Sequence, residues 1–488
     1  MKHGSRLKSN GESLDTTALP SLPRNWCWAQ VNDVGEVKLG RQRSPEHHQG
    51  DHMRPYLRVA NVYENRLELS DVLKMNFTPA EFETYRLRHG DILLNEGQSL
   101  EWVGRAAMYR DELPGSCFQN TLVRFRSREC VEPRFALWLF LYYLRNHRFQ
   151  RIAKWTVNIA HLGAARFAEI EFPLAPLNEQ RRIVEKIEEL FSDLDAGVAA
   201  LERAKANLKR YRAAVLKAAV EGKLATSLKR ECYEPIRWQP LSDVVLSLEQ
   251  GWSPKCEREA CNDPNKWVVM KTTAIQPLRY LEAENKLLPV SLTPRPELEI
   301  ADGDLLITRA GPRNRAAVAC LVRRTRPRVI LCDKAYRFRL DSSLADPGFI
   351  EIALNSPPIV DMLDELKTGI SDSGVNLTQK RFLELRLPLP PLTEQRQIVA
   401  EVAEKLSQIE AADVAIDHSH ARAARLRQSI LKRAFAGQLV PQDPHDEPAS
   451  TLLQRIKKSN CDAPSVSDPS DSVRPRRQRI RNPQGAST

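Results

Sequence analysis

The residues best suited to chemistry in this chain are cations set in loops. Arg41 and Arg43 fall in one polar stretch, Lys255 and Arg258 in a second, and Arg309, Arg313 and Arg315 in a third, while Arg105 follows Gly104. A planar guanidinium matches phosphate oxygens and guanine edges, and an ammonium supplies a point charge to phosphate. Each of these side chains also fits a plain solvated face. The charge balance bears on both readings: 73 Lys and Arg against 62 Asp and Glu leave a formal net charge of +11. Such an excess suggests a polyanionic partner, most simply nucleic acid, although a basic but unspecialised surface also accounts for it.

Residues for bond-making chemistry are missing. No Gly-x-x-x-x-Gly-Lys-Ser/Thr loop, Gly-x-Gly-x-x-Gly turn or Gly-x-Ser-x-Gly elbow occurs, nor the Asn-Pro-Pro-Tyr type of string used by amino-methyltransferases. His47-His48 is an isolated pair in a polar loop, and the carboxylates form no evident cluster. The nine cysteines contain no Cys-x-x-Cys, and Cys256 and Cys261 lack partners at zinc spacing. No metal site is therefore expected, and the thiols read as reduced, in the cytoplasm. Together these gaps describe a binding subunit that takes its chemistry from partners.

The elements that must position the cations are written twice. Pro176-Leu177-Asn178-Glu179-Gln180-Arg181-Arg182-Ile183-Val184 is echoed by Pro391-Leu392-Thr393-Glu394-Gln395-Arg396-Gln397-Ile398-Val399. The register holds without a gap to Gly222 and Gly437, which marks a duplicated element. Between these ends apolar or small residues recur at steps of four and three. They are Ile183, Ile187, Leu190, Leu194, Gly197, Leu201, Ala204, Leu208, Tyr211, Val215 and Ala218 in the first copy. In the second, Lys405, Ser419 and Arg433 interrupt the same pattern. Asn178 and Thr393 are placed to cap the starts, and Gly222 and Gly437 to stop the helices in left-handed backbone. Each helix should run about 43 residues, or about 65 Å at 1.5 Å per residue. A helix so long needs a partner of similar length, so an antiparallel coiled-coil pair is expected, with a globular domain near each end. Two separate surface helices are the other reading.

The regions ahead of each helix echo more loosely. Trp28 and Asp33-Val34 answer Trp238 and Asp243-Val244, Gly90-Asp91 answers Gly303-Asp304, and Val123-Arg124-Phe125-Arg126 answers Tyr336-Arg337-Phe338-Arg339. Offsets drift between these points, as expected of one framework presenting two different surfaces. Both segments read as α+β, with strands near 121–125 and 334–339 and helical pieces near 135–143 and 349–354. A pseudo-two-fold internal repeat results, with segments 1–20 (tail), 21–175 (first domain), 176–222 (first long helix), 223–390 (second domain), 391–458 (second long helix and extension) and 459–488. The last is a polar, basic, disordered tail with arginines at 474, 476, 477, 479 and 481. No apolar stretch of about twenty residues exists to span a membrane.

Two variable domains, each followed by Pro-Leu-x-Glu-Gln-x-x-Ile-Val and a long helix, resemble the specificity subunit of type I restriction–modification systems. The lead-ins Val157-Asn158-Ile159 and Ile170-Glu171-Phe172-Pro173-Leu174, with Val375-Asn376-Leu377 and Leu385-Arg386-Leu387-Pro388-Leu389, strengthen the likeness, which covers roughly residues 21–458. The resemblance implies that each domain is a target-recognition domain reading half of a bipartite, asymmetric double-stranded DNA sequence. It implies that the helices act as spacer and dock methyltransferase subunits, with Glu179, Gln180, Arg181, Glu394, Gln395 and Arg396 at the helix starts as docking residues. S-adenosylmethionine, ATP and Mg would then be bound by modification and restriction/translocase subunits, with no cofactor in this chain. The alternatives are a single-chain enzyme with its own methyltransferase or nuclease, which the missing motifs oppose, and a coiled-coil scaffold for proteins.

Overall fold

The computed structural model describes residues 19–156, 158–224, 237–257, 259–369 and 371–461. Val157, Arg258 and the basic tail with its arginines lie outside the described residues. The chain divides into two units. The first takes the sequence up to Ala196 together with everything from Arg422 onward, and the second takes Gly197–Ala421. Both long helices therefore contribute to both units.

One topology is built twice. The first unit holds a four-stranded antiparallel sheet in the order Gly35–Leu39, Leu122–Ser127, Ile92–Asn95, Ala106–Met108. The second repeats it as Val245–Gln250, Ala335–Leu340, Leu305–Thr308, Ala319–Leu321. The strand sequences alternate as the two faces demand. Phe125 and Phe338 enter the hydrophobic cores. The alternating Arg124 and Arg337 are buried on the other face and held by carboxylates, Arg124 by Glu36 at 2.7 Å and Arg337 by Glu249 and Asp304. A smaller sheet also recurs: Met53–Leu57 pairs parallel with Cys117–Phe118 and antiparallel with Leu73–Asn76, as Val268–Met270 does with Val329–Ile330 and Asn285–Leu287.

The lead-in to each long helix is a strand pinned by the start of its own unit. Glu171–Leu174 pairs with Cys27–Gln30, and Arg386–Leu389 with Arg237–Pro240. Trp28 lies opposite Pro173 and Trp238 opposite Pro388, so the loose sequence echo is a structural one.

The long helices run Leu177–Val220 and Leu392–Phe435, 44 residues each. They begin two residues earlier than Asn178 and Thr393 require as caps. The carbonyls of Pro176 and Pro391 accept the first bonds, from Gln180 N and Gln395 N, so Asn178 lies in the first turn and turns its side chain to Asp446 and Arg181. The stops are as expected: Gly222 and Gly437 have φ of 70° and 67°. Lys223 N and Gln438 N then reach back to the carbonyls of Ala218 and Arg433, at 2.9 and 2.8 Å, closing each end in a Schellman motif.

The pairing is antiparallel within each unit. In the first, Asp195 meets Arg427, whose guanidinium lies over Phe191, and Arg182 meets Asp446 in the segment that follows the second helix. In the second, Glu202 meets His420 and Lys205 meets Asp417. The heptad holds, but alternate rungs are displaced by one residue from the sequence reading. Gly197, Ala204 and Tyr211 are exposed, and Val198, Lys205 and Arg212 are half-buried in their place. Likewise His420, Arg427 and Ala434 replace Ser419, Leu426 and Arg433. Residues three and four apart share a helix face, so a step pattern alone fixes the period and leaves the phase of each rung to packing.

Candidate nucleic-acid interface

The duplicated Glu-Gln string builds a clamp between each domain and its helix. Gln180 is fully buried; its amide donates to the carbonyls of Cys130 and Ala175 at 2.9 and 2.8 Å and accepts from Glu132 N at 2.9 Å. Gln395 repeats the three bonds with Leu344 O, Pro390 O and Asp346 N, at 3.1, 2.8 and 2.8 Å. Each glutamine thereby satisfies backbone groups just ahead of a domain helix, Pro133–Arg145 or Pro347–Leu354, and the end of the lead-in strand. Glu179 and Glu394 are buried too. Burial raises the Glu179 carboxyl above its ordinary value, opposed by Trp26 and Arg182. Of the six residues the resemblance put forward for docking, Arg181 and Arg396 face solvent.

The cations of the first unit divide by role. Arg41 is only 7% exposed: its guanidinium binds Glu81 at 2.8 Å and Asn76 O at 2.9 Å and lies over Phe77. It braces the loop and does not point outward. Arg43 is exposed, with Nε 3.1 Å from His48 Nε2. Arg105 is half-buried, stacked 4.5 Å from the Tyr63 ring centroid and 5.5 Å from that of Trp102, and burial lowers its pKa from the ordinary value. Among the described residues, Arg105 shares no hydrogen-bond or ring partner with Arg41 or Arg43.

In the second unit, three of the sequence candidates, Lys255, Arg309 and Arg315, flank an open cavity of about 360 Å³. Lys255 is exposed between Pro254 and Cys256, both of which line it, and Arg258 lies outside the described residues. Arg309 holds one wall, through Nε to Asp333 O at 2.8 Å and its own N–H to Lys334 O at 2.9 Å. Arg315 holds the other, through Thr272 O and Ile275 O at 3.0 and 2.9 Å. Arg313 is engaged by Asp364 and Asp372 at 2.8 and 2.9 Å, whose hydrogen bonds raise its pKa. The charged residues that line the cavity are Lys271, Lys286, Lys334 and one acid, Asp333, beside Trp252 and Thr273. Lys271 lies 3.7 Å from Glu284; among the described residues, Lys286 and Lys334 have no carboxylate within ion-pair distance. Three ammoniums against one carboxylate leave the hollow net positive, which suits phosphate oxygens. Sequence reasoning missed these lysines because 63 positions separate the first from the last and no spacing links them.

The two loops start from equivalent points. Gly40 and Gly251 each sit where a Cβ would strike a backbone carbonyl at 2.2 Å, of Gln119 and of Leu331. The next residue bridges to the facing strand, Arg41 to Gln119 and Trp252 to Cys332. After that shared point the two units present different side chains.

Residues 23–203 match the type I restriction modification DNA specificity domain. Over 170 residues the chain is 39% identical to the EcoEI specificity subunit of Escherichia coli, a stretch that is 34% of this chain and 29% of that protein. Over 459 residues it is 26% identical to the EcoKI specificity subunit of Escherichia coli K12, covering 89% of this chain and 96% of that one. In structure it is similar to the HsdS subunit from Thermoanaerobacter tengcongensis, with a TM-score of 0.55 at 20% identity over 87% of this chain and all of that one. A chain from a structure described as the basis of complex assembly and conformational transition of the type I R-M system aligns with a TM-score of 0.65 at 20% identity, covering 86% of this chain and 100% of that one.

Proposed function

Because this chain belongs to the specificity subunits of type I restriction–modification systems, we propose that its two units each read one half of a bipartite, asymmetric DNA target. The chain acts as a non-catalytic subunit. S-adenosylmethionine, ATP and Mg belong to the methyltransferase and restriction/translocase subunits it assembles with. One observation carries the reading: the two units repeat a fold and a buried glutamine clamp, and diverge in the cations they present. Invariant supports with variable outer residues are what two readers of different sequences require.

The lysine-lined cavity of the second unit takes backbone phosphates, which sets register, and Arg43 and Lys255 stand at the equivalent loops. Arg181 and Arg396 contribute to methyltransferase docking, and the helix pair sets the spacer between half-sites. A helix of about 65 Å spans at most roughly two turns of duplex.

Methylome sequencing of a host expressing this chain with its methyltransferase subunits tests the reading. The expected result is one methylated motif with two unlike half-sites separated by unread bases. A continuous or palindromic motif, or none, sinks it.

A further inference from the structure

Among the described residues, the first unit carries an exposed apolar hairpin with no equivalent in the second. Lys154–Trp155 pairs with Ala160–His161, which pairs in turn with Gly97–Gln98. Trp155 is 58% exposed and Ile159 44%, while Leu100, on the continuation of the third strand, is 41% exposed. The small sheet is firmly built. Thr156 N and Oγ1 both donate to Ile159 O at 2.9 Å, Arg166 donates to Ile152 O and His161 O at 2.9 and 2.6 Å, and His161 lies 3.0 Å from Glu96. An exposed tryptophan on a braced support costs solvation and gains nothing in the isolated chain.

In the second unit the same place is held by Ala310–Gly311 paired with Val375–Asn376, with Thr368 bridging to Asn376. The described residues of its turn are Gly369, Ser371, Asp372, Ser373 and Gly374, with Ile370 outside them, and Asp372 engages Arg313. A surface that docked the same methyltransferase subunit on both units would be alike in both, as the glutamine clamp is. These hairpins differ as readers of different sequences must. Arg151 and Lys154 are exposed, Glu96 beside the small sheet is engaged by His161, and Glu101 is an exposed acid next to Leu100.

Resting on the DNA-reading role above, we propose that Trp155 is a specificity-determining residue that packs on bases in the groove of one half-site, with Lys154 on the adjacent phosphate. An apolar side chain against bases reads their faces and steps and leaves the counterion atmosphere alone, whereas a lysine on phosphate releases a counterion.

The complex with methyltransferase subunits is titrated with a duplex bearing its methylome-defined target, and with duplexes altered in either half-site, over a range of salt. Trp155→Ala should weaken binding at least tenfold, leave the slope of log affinity against log salt unchanged, and erase discrimination at one half-site only. Trp155→Phe should retain most of the affinity. Lys154→Ala should reduce the salt slope by about 0.9 and leave discrimination intact. Wild-type discrimination with none lost in Trp155→Ala overturns the hairpin's role alone. Loss of complex assembly in Trp155→Ala also overturns it, by making the hairpin a protein contact. A wild-type complex that discriminates no duplex overturns the hairpin and the DNA-reading role together.

Discussion

The first unit is completed by distant chain and the second by near chain, and this is the deepest difference between two otherwise matched folds. Leu431, Ala434, Phe435, Ala449 and Leu453, from the far end of the sequence, join the core built around Phe125, Phe140 and Phe172. The backbone confirms the return: Ala449 N donates to Asn25 O at 3.0 Å, and Asp446 holds Arg182 at 2.8 Å. The second unit draws Val215, Leu216, Ala219 and Val220 from the part of the first long helix that lies within its own continuous stretch of chain. Equal topology thus conceals unequal loop closure, since the last core residues of the first unit arrive only after the intervening stretch Gly197–Ala421. Duplication here copied an arrangement of contacts, and the chain order of those contacts differs.

The sharpest test exchanges the matched helix-end residues for alanine. Phe435 is 6% exposed, 5.3 Å from the Phe135 ring and stacked 5.5 Å from Tyr142. Its counterpart at the same repeat position is Val220, 5% exposed. Phe435→Ala should cost the first unit about 3–5 kcal/mol, and Val220→Ala should cost the second about 1.5 kcal/mol. A chain of two units need not unfold in one step, so hydrogen exchange resolved by segment is the proper measurement. Phe435→Ala should expose amides around Phe135 and Phe172 and spare those around Phe338. Equal loss in both units would show that the cores are not separate.

The next test sharpens what the units share. Gln180→Ala and Gln395→Ala each leave two carbonyls and one N–H without a side-chain partner. Either should destabilise its own unit by about 2–3 kcal/mol, and by the same amount within error, because the three bonds are the same. Segment-resolved exchange checks both. A large effect in one variant and none in the other would mean that the clamp is decorative in one copy.

The glutamines also mark where sequence reading stops. Their repeat, the helix lengths and the glycine stops were legible because each is local: a period, a spacing, a residue that tolerates left-handed backbone. The function of Gln180 was not, since its partners Cys130 and Glu132 are some fifty positions away and speak only through backbone atoms, which carry no sequence signal. The rung phase was lost for a related reason. Lys205 and Arg427 sit at half-buried positions because Asp417 and Asp195 face them, and that pairing exists only once two helices are in register. Among the loop cations, type alone could not separate Arg41, which is spent on Glu81, from Lys334, which lines a cavity. Burial decides between them, and burial is a property of the fold.

The smallest expected effect concerns the acid beside the clamp. Burial raises the Glu179 carboxyl above its ordinary value, so in the folded chain it keeps its proton to a higher pH than in the unfolded chain. Between the unfolded value, about 4.3, and the raised one, the native state binds more protons. Stability contributed by this group is then present at low pH and is lost as pH rises through the folded value. Glu179→Gln keeps the side-chain shape and removes the titration. It should leave the first unit slightly more stable than wild type at pH 7 and flatten that part of its pH dependence. Denaturant melts at pH 4 to 8, read by exchange in the first unit, check this. If the variant is instead less stable at pH 7, Arg182 and Trp26 outweigh burial, and the carboxylate is a working member of the clamp and not a tolerated charge.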